Sequence, residues 1–198
     1  LGYLYDNGQG MAQDFTAARE WYEKAAAQGH ARAQNSLGTM FQNGTGVAQN
    51  FTAAREWYEL SAAQGFANAQ YNLGGMYYVG QGIAQDFTAA RGWFEKAAAQ
   101  EHASAQVNLG YLYDNGQGMA QDFTAAREWY EKAAAQGHAD AQFSLGVLYD
   151  NGQGVAQDFT AAREWYEKAA ALGHAKAQFN LGVLYKNGQL SLIHISEP

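Results

Sequence analysis

The 198-residue sequence contains no cysteine, which removes disulfides and thiolate metal sites from consideration. Its single proline, Pro198, stands at the last position and leaves long stretches free for helix. Charged residues make up only 16% of the chain, and no lysine–arginine cluster occurs. At a formal net charge of −7, the concentrated positive charge that phosphate backbones and anionic lipids require is missing. No nucleic-acid partner is therefore expected. No apolar run reaches the roughly 18 residues of a spanning helix, so no membrane insertion is expected either. Localisation stays open between cytoplasm and periplasm or secretion, because the chain opens at Leu1 in the middle of a repeat. It reads as a fragment.

What is present is apolar material, 47% of the chain, and glycine at fixed places. Trp21, Trp57, Trp93, Trp129 and Trp165 follow one another at 36-residue steps. The Leu-Gly pairs at Leu1, Leu37, Leu73, Leu109, Leu145 and Leu181 keep the same step, and residues 1–31 recur letter for letter at 109–139. A fixed period of this size marks a solenoid, in which each unit buries its apolar face against its neighbours.

Each period holds two helical stretches. Helix B is expected over Asp122–Gln136, with Asp122 as N-cap and Gly137 in the left-handed conformation after its end. Phe123, Ala126, Trp129, Tyr130, Ala133 and Ala134 share its apolar side, while Arg127, Glu128, Glu131 and Lys132 fill the other. The i,i+4 pairs Glu128–Lys132 and Arg127–Glu131 contribute only about 0.2–0.5 kcal/mol each, so the apolar stripe dominates. Helix A is expected over Ala139–Asn151 and stops at Gly152-Gln153-Gly154, where one or both glycines take positive φ.

The motif is Ala139-Asp140-Ala141-Gln142, Leu145-Gly146, Tyr149, Gly152-Gln153-Gly154-Val155, Asp158 and Trp165-Tyr166-Glu167-Lys168-Ala169-Ala170. It closely resembles the Sel-1-like repeat, a relative of the tetratricopeptide repeat. The resemblance implies an all-α fold, an α/α right-handed superhelix (solenoid) of antiparallel helix pairs, and a role as an adaptor in protein complexes. Some secreted bacterial members are described as binding penicillin or hydrolysing β-lactams, but those carry repeated cysteine pairs that this chain lacks. The array covers residues 1–189, about five repeats with the first truncated. At Leu190 the repeat requires glycine, and the non-repeat tail 190–198 resembles translated adapter sequence and is read as non-native. Gly92 and Glu101 stand where the other units have glutamate and glycine, which makes the third helix B the weakest.

No constellation for chemistry emerges. The turns Asp114–Gly118 and Asp150–Gly154 offer too few carboxylates for a calcium loop and read as turns. His30, His102, His138 and His174 recur a full repeat apart, too far to share a zinc ion, and are expected to cap or pack at the helix junction. His194 lies in the tail. Asp122, Glu128 and their copies form no unique acid–base set, and neither a nucleophile elbow nor a phosphate loop is present. Hence no catalytic residue, metal or cofactor is expected, and the tryptophan ladder is read as core and inter-repeat packing.

Comparison of the copies locates the variation. Helix B barely changes, whereas helix A differs at four places that fall on one stripe. The first is Arg32/Asn68/Ser104/Asp140/Lys176, and the second is Asn35/Tyr71/Val107/Phe143/Phe179. The third is Thr39/Gly75/Tyr111/Val147/Val183, and the fourth is Gln42/Tyr78/Asp114/Asp150/Lys186. Ala33, Leu37 and Phe41 lie opposite. In tetratricopeptide-like stacks, helix A lines the concave surface. The expected function is therefore a non-catalytic scaffold that binds a protein or peptide segment there, through Arg32, Tyr71, Tyr78, Val107, Tyr111, Asp140, Phe143, Val147, Lys176 and Phe179. The bland alternative is that Tyr71, Phe143 and Phe179 only pack against the neighbouring repeat. Competing functions are a cell-wall or β-lactam-related hydrolase, tested by turnover of a chromogenic β-lactam, and a structural spacer within a larger protein. Neither end carries a polar capping repeat, so the chain alone is expected to fray or to self-associate end to end. Sedimentation and circular dichroism check this, and a monodisperse, fully helical monomer would contradict it.

Overall fold

In a computed structural model that describes residues 2–7 and 12–188, the chain folds into eleven helices with no strand among those residues. The tail 190–198, with His194, lies outside the described residues. Two compact groups divide the helices. The first holds α1 (Gly2–Asn7), α2 (Phe15–Ala26), α3 (Ala31–Asn43), α4 (Phe51–Ala63), α5 (Ala67–Val79) and α6 (Phe87–Ala98). The second holds α7 (Ala103–Asn115), α8 (Phe123–Ala135), α9 (Ala139–Asn151), α10 (Phe159–Ala171) and α11 (Ala175–Lys186). Odd-numbered helices are helix A and even-numbered ones helix B. Within each group every helix packs against the next along the chain, the pattern of an all-α helix-pair solenoid.

The boundaries follow from short polar side chains and glycines. Asp14, Asn50, Asp86, Asp122 and Asp158 are extended and accept a hydrogen bond from the backbone N–H three residues on. His30 and His174 cap helix A in the same way, each Nδ1 accepting from the N–H of Ala33 or Ala177 at 3.2 Å. After α9, both Gly152 and Gly154 take a φ of 67°, so both glycines of the turn are needed in the left-handed region.

Burial follows the pattern of alanine, leucine and aromatic residues. In the first group Ala54, Tyr58 and Ala62 of α4 meet Ala69, Leu73 and Met76 of α5, and Trp93 packs against them. In the second, Ala126, Tyr130 and Ala133 of α8 meet Ala141, Leu145 and Leu148 of α9, with Trp165 alongside. Each of these tryptophans thus joins one repeat to the previous one, as expected. The glycine of the Leu-Gly pair marks the closest approach. A Cβ built on Gly38 would stand 2.6 Å from Tyr58 Cδ1 and Cε1, so the ring lies where a side chain would be.

The solvent face corrects one expectation. Arg19, Arg55, Arg91, Arg127 and Arg163 do pair with the glutamate four residues on, at 3.4–3.7 Å. The lysines turn elsewhere. Lys132 lies 4.0 Å over the Trp129 ring centroid, and Lys24, Lys96 and Lys168 do the same over Trp21, Trp93 and Trp165. A half-exposed indole attracts an ammonium more strongly than a solvated carboxylate does.

The third helix B carries both weaknesses. Gly92 faces open space inside α6, and Glu101 has φ of 61°, where the other copies have glycine. Glu101→Gly is expected to stabilise the fold by about 1 kcal/mol, and Gly92→Ala to add about 0.5–1 kcal/mol. Gly38→Ala should instead cost about 1–3 kcal/mol through overpacking. Urea denaturation followed by circular dichroism measures all three.

Candidate functional site

The four varied positions of helix A differ in what their side chains meet. The first is the most open. Arg32, Asn68, Asp140 and Lys176 are exposed, and the Arg32 guanidinium lies 5.9 Å over the Tyr3 ring. Asp140 reaches across to the next helix A, with Oδ1 at 3.2 Å from His174 Nε2 and Oδ2 at 3.9 Å from His138 Nδ1. The His174 cap uses Nδ1 as acceptor, so its neutral ring carries the proton on Nε2 and donates it to Asp140. One repeat earlier, Ser104 Oγ stands 3.4 Å from His138 Nε2.

The second position is a seam. Tyr71 stacks on His102 and Phe143 on His174, both at 4.6 Å between centroids, and these rings also approach Phe94 and Tyr166. Val107 is only 3% exposed and belongs to the core around Tyr130, so it presents no surface to a partner. Burial removes it from the expected contact set. Phe179, the copy on α11, stands 71% exposed. Tyr71 and Phe143 therefore pack against the helix B that follows each of them and the histidine beyond its end, whereas no helix follows α11 among the described residues to meet Phe179.

The third and fourth positions serve the buried ring of helix B. Thr39 Oγ1 lies 3.1 Å from the Tyr58 hydroxyl, Tyr111 meets the Tyr130 ring edge-on at 5.7 Å, and Val147 packs against the cluster around Tyr166. At the fourth position the tyrosine hydroxyl finds its acceptor. Tyr22 donates to Asp6, Tyr58 to Gln42, Tyr130 to Asp114 and Tyr166 to Asp150, over 2.7–3.2 Å. Where helix B has Phe94 and no hydroxyl to satisfy, the fourth position is Tyr78, and the two rings meet at 6.4 Å. This coupling was missed on reading helix A alone, although the copies carry it as a pairing sixteen residues apart.

Burial shifts these groups, since a buried site disfavours charge. The Tyr22 and Tyr58 hydroxyls are pushed up to about 12, and those of Tyr130 and Tyr166 are raised as well. Burial also raises the Asp114 carboxyl, against the opposing effect of the Tyr130 hydroxyl bonded to it. No group of histidine, aspartate or glutamate suited to a metal ion occurs among the described residues. Nor is any described helix long and apolar enough to cross a membrane.

A family model described as Sel1 repeat matches residues 1–30, 31–66, 67–102, 103–138, 139–174 and 175–193. Six segments thus match where about five were expected. Among solved structures, a protective antigen of uropathogenic Escherichia coli strains displaying an SLR fold is 43% identical, with a TM-score of 0.88. The match covers 94% of this chain and 40% of that one, so the chain spans well under half the length of this relative. A Sel1 repeat protein from Oxalobacter formigenes is 35% identical over 96% of this chain and 76% of its own, with a TM-score of 0.89. The cysteine rich protein B of Helicobacter pylori, 24% identical over 67% of this chain and 98% of its own, has a TM-score of 0.53 and shares the fold. No curated protein matches the sequence.

Two pH effects follow. The raised tyrosine hydroxyls lend stability that is fully present below their unfolded value of about 10 and lost as pH climbs through the folded values. Helicity at 222 nm should fall above pH 10 together with the rise of tyrosinate absorbance. For Asp114, a raised folded value means stability present in acid and lost as pH rises through it. Asp114→Asn, which keeps an acceptor for Tyr130, should raise the melting temperature at pH 7 and bring no gain near pH 3.

Proposed function

We propose that this chain, which belongs to the Sel1 repeat family, is a non-catalytic scaffold that holds a protein or peptide segment along helix A. Proteins of this family are generally protein-interaction scaffolds. The observation that carries the finer reading is a contrast inside each repeat. Helix B keeps its sequence and spends it on the core, on Arg–Glu pairs and on tryptophans covered by lysine. The first position of helix A touches solvent, and its chemistry changes from copy to copy. It is Arg32 then Asn68 in the first group, and Ser104, Asp140 then Lys176 in the second. A surface that must only stay soluble has no need of such alternation, whereas a surface that selects one partner does.

Around these charges stand the half-buried rings of Tyr71 and Tyr78 in the first group, and of Tyr111 and Phe143 with Val147 in the second. They would serve a partner as the apolar floor and the charges as its polar rim. Aromatic anchors ringed by polar contacts suit an extended segment or an amphipathic helix.

The test is cross-linking and recovery of partners from a lysate with the full chain as bait. Changing Arg32, Asp140 and Lys176 together to alanine should reduce recovery of the specific partner at least fivefold while circular dichroism stays unchanged. Equal recovery from the triple variant would sink the placement on helix A.

A further inference from the structure

The seams between repeats are closed by an amide latch, and one latch is missing its donor. Gln34, Gln70, Gln106 and Gln142 are buried copies on helix A. Gln34, Gln70 and Gln142 donate Nε2 to a carbonyl of the preceding helix B, that of Ala26, Ala62 and Ala134 respectively. That bond fixes which end of the amide is which and turns Oε1 toward the end of the following helix B. There another glutamine waits. Gln64 donates to Gln34 Oε1 at 2.6 Å, Gln100 to Gln70 at 2.9 Å and Gln136 to Gln106 at 2.8 Å.

At the fourth seam, within the second group, Leu172 stands in place of that glutamine. Gln142, itself only 7% exposed, is left with Oε1 closed off from solvent and without a hydrogen-bond partner. Leu172 has no donor to offer, and its side chain is 56% exposed instead. The intact seam shows what chemistry belongs there. The single NH2 of Gln100 serves two acceptors, Gln70 Oε1 and, at 2.8 Å, the carbonyl of Gly65. Their counterparts at the fourth seam are Gln142 Oε1 and the carbonyl of Gly137.

We infer that the seam formed by Gln142, Gly137 and Leu172 is a docking point for a partner segment that presents a primary carboxamide, from glutamine or asparagine, beside an apolar side chain. The carboxamide supplies two N–H donors on one nitrogen, the arrangement Gln100 uses. A carboxylate brings acceptors to acceptors and is refused. The apolar neighbour covers Leu172, exposed at its helix end. An occluded acceptor without a partner is what makes the site selective, because a donor arriving there replaces nothing. The inference rests on the reading of the chain as a binder of protein segments, but the seam lies off the varied stripe of helix A.

Selection of random twelve-residue peptides on the immobilised full chain, with counter-selection on Leu172→Gln, tests it. The variant supplies its own latch and should unfold at the same or a higher temperature than the parent, so that lost binding does not reflect misfolding. Enriched peptides are expected to carry glutamine or asparagine next to an apolar residue. They should bind the parent at least tenfold tighter than L172Q and weaken at least fivefold when that residue becomes glutamate. Affinity equal for parent and variant, or enrichment without a carboxamide, overturns the inference. Arg32→Ala should leave these affinities unchanged, which separates failure here from failure of the helix A stripe.

Discussion

Helix A can approach helix B only where a glycine yields its side-chain space to a ring. Gly38 gives way to Tyr58, Gly74 to Phe94, Gly110 to Tyr130 and Gly146 to Tyr166. Close packing of this kind buries the whole ring, and burial of a phenol creates a second demand, since its hydroxyl must meet an acceptor. That acceptor comes from the fourth varied position of helix A, and the flank of the same ring touches the third. The small residue therefore governs much more than one contact. It sets which side chains of the stripe are spoken for before any partner arrives.

A second consequence is electrical. Each tyrosine is held neutral by its burial, and at Tyr130 the partner carboxylate of Asp114 is drawn partly out of water with it. The chain tolerates this because the hydroxyl keeps donating as long as it keeps its proton. Where the hydroxyl is absent, at Phe94, no acceptor is kept, and Tyr78 packs as a ring. Polar and apolar solutions to one contact thus coexist in consecutive repeats.

Much of this could be read from the letters. The period, the Asp122 and Asp158 caps, the bounds of α9 and the left-handed glycines after it all follow from local rules that act within a few residues. The candidate surface was legible only in part, because projecting helix A on a wheel shows which residues share a side and not what comes to meet them. Tyr71 and Phe143 meet a histidine thirty-one residues on, and Asp140 one thirty-four residues on. Those partners arrive when helix A packs against the helix B that follows it and the histidine beyond its end, and no spacing rule within one helix reveals them. Lys132 was misplaced for a related reason. Counting i,i+4 charges favours Glu128, while the indole face three residues back offers the better contact.

Departures from the repeat are of two kinds, and the difference bears on function. Phe94 with Tyr78 is compensated, since both members of a contact changed and nothing is left unmet. Leu172 opposite Gln142 is not, because the donor was lost and the acceptor stayed. Leu60 beside Trp57 is uncompensated too: an apolar side chain, 52% exposed, replaces the lysine that covers the other tryptophans. In a chain copied this closely, the bulk of the sequence answers to packing alone. Compensated changes preserve that packing and carry no information about a partner. Uncompensated ones leave an unmet acceptor, an uncovered apolar side chain or, at Glu101, a strained backbone, and the packing of the repeat does not offset that cost.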